Sequence, residues 1–189
     1  MNKLPANAVQ FVQQYIKEAV ASAQVLADLT CGNGRDTEFL CRFKPKDSIV
    51  YAVDIQPEAI ARTQAYLKQQ NMWNEQVILL CDSHDRVWER LPETIDLAMM
   101  NLGYLPCGDH ALHTKADTTI EAVKQSLKRL RPFGVLSICA YPGTPEGEME
   151  RDALEIYLRS INQKEVQICC WQPVNQIHKP PVAYILQKR

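Results

Sequence analysis

Residues 25–40, VLADLTCGNGRDTEFL, decide the fold. They begin with a short apolar run, pass through a turn that contains two glycines, and continue into residues with a helical pattern. A buried strand that leads through a glycine-containing loop into a helix is the first unit of a doubly wound α/β sheet. We therefore expect further strand and helix units to follow it along the chain.

The rest of the chain meets that expectation, because apolar strand patterns alternate with helical ones. Strands are predicted, in order, at 25–29, 49–54, 77–81, 95–101, 135–141, 165–172 and 182–187. Helices are predicted at 6–20, 36–43, 58–70, 118–130 and 146–160, with a short one near 85–90. Such alternation implies right-handed crossovers and a mostly parallel sheet covered on both faces. No helix separates the last two strands, so we expect a hairpin that puts one antiparallel strand into a seven-stranded, doubly wound, Rossmann-like α/β sheet.

The composition is that of an ordinary globular chain. Hydrophobic residues make up 46% and charged residues 23% of the 189 residues, which suits a single domain over residues 1–189 with a leading helix inside residues 1–22. The seven cysteines are odd in number and lack the spacing of a disulfide scaffold, so we expect reduced thiols in the cytoplasm. No signal-peptide pattern opens the chain, and no apolar run nears the roughly 20 residues that span a bilayer. We expect no membrane partner, and the sequence leaves a monomer and a homodimer both open.

The net charge restricts how the chain can bind nucleic acid. With a formal charge of −1 and a pI near 6.4, it does not resemble a protein that wraps nucleic acid through bulk electrostatics. A local basic patch beside an active site remains compatible with this charge.

The loop after the first predicted strand has the residues of a cofactor site. Its two glycines permit tight, left-handed backbone and let a ligand approach the chain closely. Free N–H groups at the start of the following helix, with polar side chains around them, can receive a carboxylate and an ammonium group together. That zwitterion is the methionine end of S-adenosylmethionine, which is the predicted cofactor. The residues predicted to bind it here are Asp28, Gly32, Asn33, Gly34, Asp36 and Thr37.

Polar residues after the second and third predicted strands fit the rest of that cofactor. Asp54 lies where an acid accepts hydrogen bonds from both ribose hydroxyls. Gln56 follows it and would flank the adenine ring. Ser83 and His84 come after the third strand, where their side chains can hydrogen-bond the adenine edge.

A nicotinamide dinucleotide site is the main alternative for a glycine loop after a strand. Its fingerprint is Gly-x-Gly-x-x-Gly, but Thr37 occupies the third glycine position. The carboxylate of Asp36 at the helix start would also repel a pyrophosphate, whereas the cation of an amino-acid group tolerates it. The sequence therefore disfavours an oxidoreductase, a bare structural loop and an inactive binding module, which remain the alternatives.

The end of the fourth predicted strand, Asn101-Leu102-Gly103-Tyr104, indicates the methyl acceptor. Amine methyltransferases often carry Asn/Asp-Pro-Pro-Tyr at this place, where the Asn side chain and a backbone carbonyl accept hydrogen bonds from the target N–H groups. Gly103 still allows a carbonyl to approach the substrate. We predict Asn101 and Tyr104 as catalytic residues that face the amine and its base. The alternative is that Asn101 only caps the strand and Tyr104 only fills the loop.

The long loop that follows is expected to be functional, since long connections in compact domains often are. Asp109 and His110 are predicted to contact the substrate, where they can carry the released proton away. Cys107, His110 and His113 are spaced like metal ligands but lack a fourth, so we predict no metal site. Tyr141, at the end of the fifth predicted strand, is expected on the rim of the same cleft.

One family resembles this chain in seven stretches: DLTCGNGRDTEFL, VDIQPEAI, CDSHD, NLGYLPCGDH, TKADTTIEAVKQSLKRLRPFG, AYPGTPEG and VNQIHKPP. It is the rRNA methylase family of class I S-adenosylmethionine-dependent methyltransferases, which is associated with tRNA wobble-uridine modification. The resemblance runs from about Ala8 to the C-terminus. The glycine loop is common to the whole class, whereas the fourth-strand stretch and Asn-Gln-x-x-x-Pro-Pro are specific to the family. One departure is Phe133, where many relatives have glycine.

The resemblance implies methyl transfer from S-adenosylmethionine to the exocyclic amine of 5-aminomethyluridine, or its 2-thio form, in the tRNA anticodon stem-loop. The product would be 5-methylaminomethyl-(2-thio)uridine at the wobble position. The resemblance also implies that Lys115 and Lys179 lie near the RNA and contact the substrate. An N-methyltransferase that acts on rRNA or on a small-molecule amine is the alternative, which the near-neutral charge slightly favours.

Overall fold

The computed structural model of the chain describes residues 4–103 and 114–189. Strands and helices alternate along it as the sequence predicts. In chain order the elements are α1 (Ala8–Ser22), β1 (Val25–Asp28), α2 (Arg35–Phe43), β2 (Ile49–Asp54), α3 (Pro57–Gln69), β3 (Val77–Cys81), a short 3₁₀ helix (Val87–Arg90), β4 (Ile95–Asn101), α4 (Ala116–Arg129), β5 (Leu130–Ala140), α5 (Pro145–Ser160), β6 (Val166–Trp171) and β7 (Val182–Lys188).

The strands form one seven-stranded sheet in the order β3-β2-β1-β4-β5-β7-β6. The pairs β1–β2, β1–β4, β2–β3 and β4–β5 are parallel, whereas β7 runs antiparallel to both β5 and β6. This confirms the predicted doubly wound α/β sheet with one antiparallel strand. The strand order reverses between β1 and β4, so the crevice for a ligand lies beyond the carboxyl ends of these two strands.

Alternate residues of the central strands face two separate hydrophobic cores. Leu26 and Leu97 are paired in register and belong, with Ile16 of α1, to the core on one face of the sheet. Ala27 and Ala98, the next pair along, belong to the core on the other face. Full burial of a leucine or isoleucine side chain stabilises the fold by about 1.5–3 kcal/mol. The leading helix α1 is therefore an integral part of the core.

The helices begin where local caps place them. α1 begins two residues later than predicted, because the Asn7 side chain accepts a hydrogen bond from the Gln10 N–H at 2.9 Å and makes Ala8 the first helical residue. α5 begins at Pro145, after Thr144 accepts from the Gly147 N–H in the same way. No helix in residues 4–103 and 114–189 is long and apolar enough to cross a membrane.

β5 begins at Leu130, five residues before its predicted start. Leu130 pairs with Ile95, and the register then shifts before the two strands continue. Within this irregularity Phe133 has a φ of 64°, and a Cβ on Gly134 would come within 2.9 Å of the Arg131 carbonyl oxygen. The turn that the sequence predicts before this strand therefore lies inside it, as a bulge.

Candidate active site

Three strand ends with polar side chains meet at the crevice. Asp28 ends β1, Asp54 ends β2 and Asn101 ends β4. Because β2, β1 and β4 are parallel neighbours, their carboxyl ends lie side by side. We call this part of the sheet, defined by these three residues, the polar edge. The sequence predicts all three in the site, and the fold brings them together.

The loop after β1 takes its shape from two glycines with positive φ. Gly32 has a φ of 51° and Gly34 a φ of 80°. The Gly32 N–H donates to Asp54 Oδ2 at 2.9 Å, and the Gly32 carbonyl accepts from Thr63 Oγ1 at 3.1 Å. A Cβ on Gly34 would lie 3.1 Å from Thr63 Cα, so a larger residue would push the loop away from α3. These contacts hold the loop against the end of β2 and against α3.

Asp28 and Thr37, both predicted to bind the cofactor, bind each other. Thr37 Oγ1 donates to Asp28 Oδ2 at 2.6 Å, and the Thr30 N–H donates to Asp28 Oδ1 at 3.2 Å. Asp28 is only 2% exposed, and Thr37 is fully buried. Their side chains therefore brace the loop, and direct contact with a cofactor stays a prediction.

Asp54 is half-buried, and both of its carboxylate oxygens accept hydrogen bonds from the backbone. Oδ2 accepts from the Gly32 N–H at 2.9 Å, and Oδ1 accepts from the Gln56 N–H at 3.0 Å. A carboxylate has about four acceptor positions, so both oxygens can accept further hydrogen bonds from a ligand's hydroxyl groups. Ile55, the next residue, is 56% exposed and offers an apolar surface beside them. A ligand that joins a diol to an aromatic ring suits this arrangement.

Ser83 and His84 follow β3 with buried side chains. Ser83 Oγ donates to the Asp85 carboxylate. His84 is 9% exposed, and its Nε2 atom has no hydrogen-bond partner among the described residues. Burial lowers the pKa of the His84 imidazole, so the ring is neutral at pH 7. Contact of these two side chains with an adenine ring stays a prediction.

The Asn101 side chain has a defined orientation. Its Nδ2 atom donates to the Asp36 carboxylate, whose Oδ1 atom also accepts from Gln13 Nε2 at 2.8 Å. Asn101 Oδ1 accepts from the Tyr141 hydroxyl at 3.4 Å. In this arrangement the amide nitrogen of Asn101 points to Asp36, and its amide oxygen points to the Tyr141 hydroxyl. Asp36, in the first turn of α2, therefore contacts Asn101, the predicted catalytic residue. The sequence predicts Asp36 only as a cofactor-binding residue.

Two residues of the site, Gln13 and Arg62, are missing from the sequence prediction. Gln13 reaches Asp36 from α1, and Arg62 reaches Asn33 Oδ1 from α3 at 3.4 Å. The apolar period of a helix marks its buried face but does not show which polar neighbour extends to a strand end. Tyr141 was expected on the rim of the cleft, and its hydroxyl lies beside the Asn101 amide.

Several predicted substrate residues lie outside the described part of the chain. They are Tyr104, Asp109 and His110, together with Cys107 and His113 of the disfavoured metal set. Lys115 is exposed just before α4. Lys179 is also exposed, and its Nζ lies 2.5 Å from Glu148 Oε2. Within residues 4–103 and 114–189, no three His, Cys, Asp or Glu side chains are arranged to hold a metal ion.

Three carboxyl groups lie at or beside the polar edge, and burial raises the pKa of each. The pKa of Asp28 is raised to about 7, first by burial and second by the charge of Asp36. Burial also raises the pKa values of Asp36 and Asp54, although hydrogen bonds to their carboxylates oppose the change. A nearby positive charge would stabilise the ionised forms of these acids. This part of the site therefore favours a ligand that carries a cation.

Asp28→Asn is expected to stabilise the ligand-free protein more at pH 8 than at pH 5.5. The folded-state pKa of about 7 lies above the ordinary aspartate pKa of 3.8, so the stability contributed by this group is lost as the pH rises from 3.8 to about 7. From pH 5.5 to 8 the loss is about 2 kcal/mol, or roughly 5 °C in the unfolding midpoint. Calorimetry of the wild-type protein and of Asp28→Asn at pH 5.5 and pH 8 measures the difference between their unfolding midpoints. Equal stabilisation at the two pH values would contradict the raised pKa of Asp28.

Comparison with protein families and curated proteins finds similar sequences. A family model described as "Putative rRNA methylase" matches residues 50–187. The chloroplastic tRNA (mnm(5)s(2)U34)-methyltransferase of Arabidopsis thaliana is 31% identical over 181 residues. That alignment covers 91% of this chain and 66% of the relative, so the chain spans slightly less than two thirds of the relative's length.

Solved structures share the fold over the whole chain. A structure from Clostridium thermocellum that carries the rRNA-methylase name has a TM-score of 0.94 at 31% identity, with 99% of this chain and 100% of that chain covered. A methyltransferase from Streptococcus mutans, solved in complex with SAH, has a TM-score of 0.87 at 32% identity, and both chains are covered completely. SAH, S-adenosylhomocysteine, is the demethylated form of the cofactor that the sequence predicts.

Proposed function

The chain belongs to this rRNA methylase family, and on that basis we propose that it methylates the exocyclic amine of 5-aminomethyluridine, or of its 2-thio form, at the wobble position of a tRNA. The product is 5-methylaminomethyl-(2-thio)uridine. The observation that carries the proposal is the orientation of the Asn101 amide. Its nitrogen donates to Asp36, and its oxygen, which accepts from Tyr141, has a second lone pair for an acceptor amine.

The chain is a methyltransferase, and its methyl donor is S-adenosylmethionine. The described residues fit this cofactor. Asp54 has acceptor capacity for the two ribose hydroxyls, and the exposed Ile55 offers the apolar surface that an adenine ring needs. The carboxyl groups of Asp28 and Asp36 favour the positive charge of the methionine end. When bound, the cofactor supplies an electrophilic methyl group on a sulfonium sulfur.

An amine acceptor suits Asn101 better than a hydroxyl acceptor does. The transfer is an in-line displacement that needs a neutral nitrogen lone pair aimed at the methyl group from about 3–3.5 Å. The Asn101 amide oxygen can accept one amine hydrogen and so turn the lone pair toward the methyl group. A hydroxyl acceptor would instead need a base. Burial raises the pKa of Tyr141, which keeps its hydroxyl protonated, and Asn101 has no basic group.

The RNA part of the proposal is supported by the relative from Arabidopsis thaliana, whose name is that of a tRNA (mnm(5)s(2)U34)-methyltransferase. We propose the anticodon stem-loop as the partner, with the exposed side chains of Lys115 and Lys179 in contact with its phosphates. Lys179 forms an ion pair with Glu148, so on RNA binding a phosphate would replace the Glu148 carboxylate as the partner of Lys179. Affinity for the RNA is then expected to fall as the salt concentration rises.

The purified protein with S-adenosylmethionine is expected to add one methyl group to tRNA from a strain that lacks its gene. Mass spectrometry of the nucleosides should show 5-aminomethyl-2-thiouridine converted to 5-methylaminomethyl-2-thiouridine. Wobble uridine in tRNA from the parent strain is already methylated, so that tRNA is the matched control and should accept no methyl group. If 5-aminomethyl-2-thiouridine stays unconverted, the tRNA substrate is rejected. Methylation of rRNA or of a small-molecule amine would then identify the alternative N-methyltransferase activity.

A further inference from the structure

Glu150 is a buried acid that the proposed reaction does not use. It lies on α5 and is 5% exposed. Its Oε2 atom accepts from Thr114 Oγ1 at 2.7 Å, and its Oε1 atom accepts from Thr119 Oγ1 at 2.6 Å. Among the described residues, its partners are thus hydroxyl groups and not cations. A buried carboxylate without a cation is costly compared with an apolar residue, so packing alone does not explain this side chain.

Thr114 connects Glu150 to the end of β4. The Gly103 N–H donates to Thr114 Oγ1 at 2.8 Å, and the Thr114 N–H donates to the Gly103 carbonyl at 2.9 Å. A threonine hydroxyl has one proton to donate. Because Thr114 gives this proton to Glu150, a lone pair of its oxygen is left for the Gly103 N–H. The carboxylate of Glu150 therefore orients the hydroxyl that holds Gly103.

The Gly103 N–H and the Leu102 carbonyl belong to one peptide group. In a planar trans peptide they point in opposite directions, so a hydrogen bond that fixes the N–H also fixes the carbonyl. Leu102 directly follows Asn101, the proposed acceptor of one amine hydrogen. In the described ranges the Leu102 carbonyl has no hydrogen-bond donor, so it is available to accept from a substrate.

We infer that Glu150 is a positioning residue of the methyl-acceptor site. Through Thr114 it holds the Leu102–Gly103 peptide so that the Leu102 carbonyl accepts the second hydrogen of the amine. The inference rests on the proposed function, because a primary amine has two hydrogens to place. Gly103 has a φ of 127° and no side chain to restrain it. The orientation of this peptide therefore depends on the hydrogen bond from the Gly103 N–H to Thr114 Oγ1.

Thr114→Val and Thr119→Val test the inference as a matched pair. Each removes one hydroxyl and leaves one oxygen of Glu150 without its donor, so both should lower the unfolding midpoint to a similar extent. Only Thr114→Val also removes the acceptor of the Gly103 N–H. We expect kcat on the tRNA substrate to fall about 10- to 100-fold in Thr114→Val and to stay within about twofold in Thr119→Val. Affinity for S-adenosylmethionine should be unchanged in both.

Two further measurements separate positioning from general stability. Thr114→Ser restores the hydroxyl and should return kcat to within about threefold of wild type. Amide exchange at Gly103, measured by NMR without substrate, should accelerate at least about tenfold in Thr114→Val but not in Thr119→Val. Equal loss of turnover in the two valine variants, or unchanged exchange at Gly103 in Thr114→Val, would overturn the inference. If the wild-type protein transfers no methyl group to tRNA, the proposed function fails, while the exchange measurement still decides whether Thr114 holds the peptide.

Discussion

Asn101→Ala is expected to slow methyl transfer about 100- to 1,000-fold while the affinity for S-adenosylmethionine stays within about threefold. The variant lacks the amide oxygen that would accept an amine hydrogen, so the nitrogen lone pair is no longer aimed at the methyl group. Cofactor affinity should be nearly unchanged, because Asn101 does not contact Asp54, and Asp36 keeps its hydrogen bond from Gln13 when the Asn101 side chain is removed. Single-turnover kinetics measure the first quantity, and isothermal titration measures the second.

Asn74→Ala is the matched control for this experiment. Asn74 Oδ1 accepts from the Gln76 N–H at 2.9 Å in the turn before β3. This turn lies at the amino ends of the parallel strands, whereas Asn101 lies at their carboxyl ends. This substitution also deletes an asparagine side chain and one of its hydrogen bonds, yet the transfer rate should stay within about twofold. A wild-type rate in Asn101→Ala would remove Asn101 from the mechanism. Equal rate losses in the two variants would indicate general destabilisation.

Asp54→Ala is expected to weaken S-adenosylmethionine binding about 100- to 1,000-fold. Two hydrogen bonds from the ribose hydroxyls to a charged acceptor are each worth about 1.5–3 kcal/mol, and about 3–4 kcal/mol in total gives this range. The substitution also removes the acceptor of the hydrogen bonds from the Gly32 and Gln56 N–H groups, so the loop after β1 loses part of its support. Isothermal titration with S-adenosylmethionine measures the loss.

Asp96→Ala separates cofactor binding from stability. Asp96 also accepts from two backbone N–H groups, those of Gln24 and Val25, and it pairs with Arg131 at 2.7 Å. It lies at the opposite end of β1 from Asp54, away from the crevice. We expect Asp96→Ala to lower the unfolding midpoint at least as much as Asp54→Ala, with cofactor affinity unchanged. If Asp54→Ala binds S-adenosylmethionine as tightly as wild type does, Asp54 is not a cofactor ligand.

The sequence predicts most of the fold correctly because each element is marked by local patterns. β2, β3 and β4 begin and end where they were predicted, since each is an apolar run between polar or turn residues. The start of β5 was wrong, because Arg131-Pro132-Phe133-Gly134 has the composition of a turn. Pairing of Leu130 with Ile95 keeps that segment in the sheet, and no local pattern reports such a pairing.

The candidate site was predicted in part for the same reason. Asp54 ends its strand and the glycine loop follows one, and the rule that ligands bind beyond the carboxyl ends of parallel strands predicts both at the crevice, where the structure has them. The rule does not say which polar side chain will be buried. Asp28 was predicted to bind the cofactor, but its carboxylate is enclosed and bonded to Thr37 and to the Thr30 N–H.

By itself, the sequence determined the fold class, the order of the elements and the donor of the methyl group, because strand and helix periods and a glycine loop are local properties. Only the tertiary structure decided the partners of the polar side chains. Gln13 meets Asp36 across 23 positions, Asp36 meets Asn101 across 65, and Thr114 meets Glu150 across 36. Periodicity shows which side of an element is buried, whereas a hydrogen-bond partner depends on how two distant elements pack. The orientation of the Asn101 amide, which supports the amine acceptor that the sequence predicts, therefore comes from the fold.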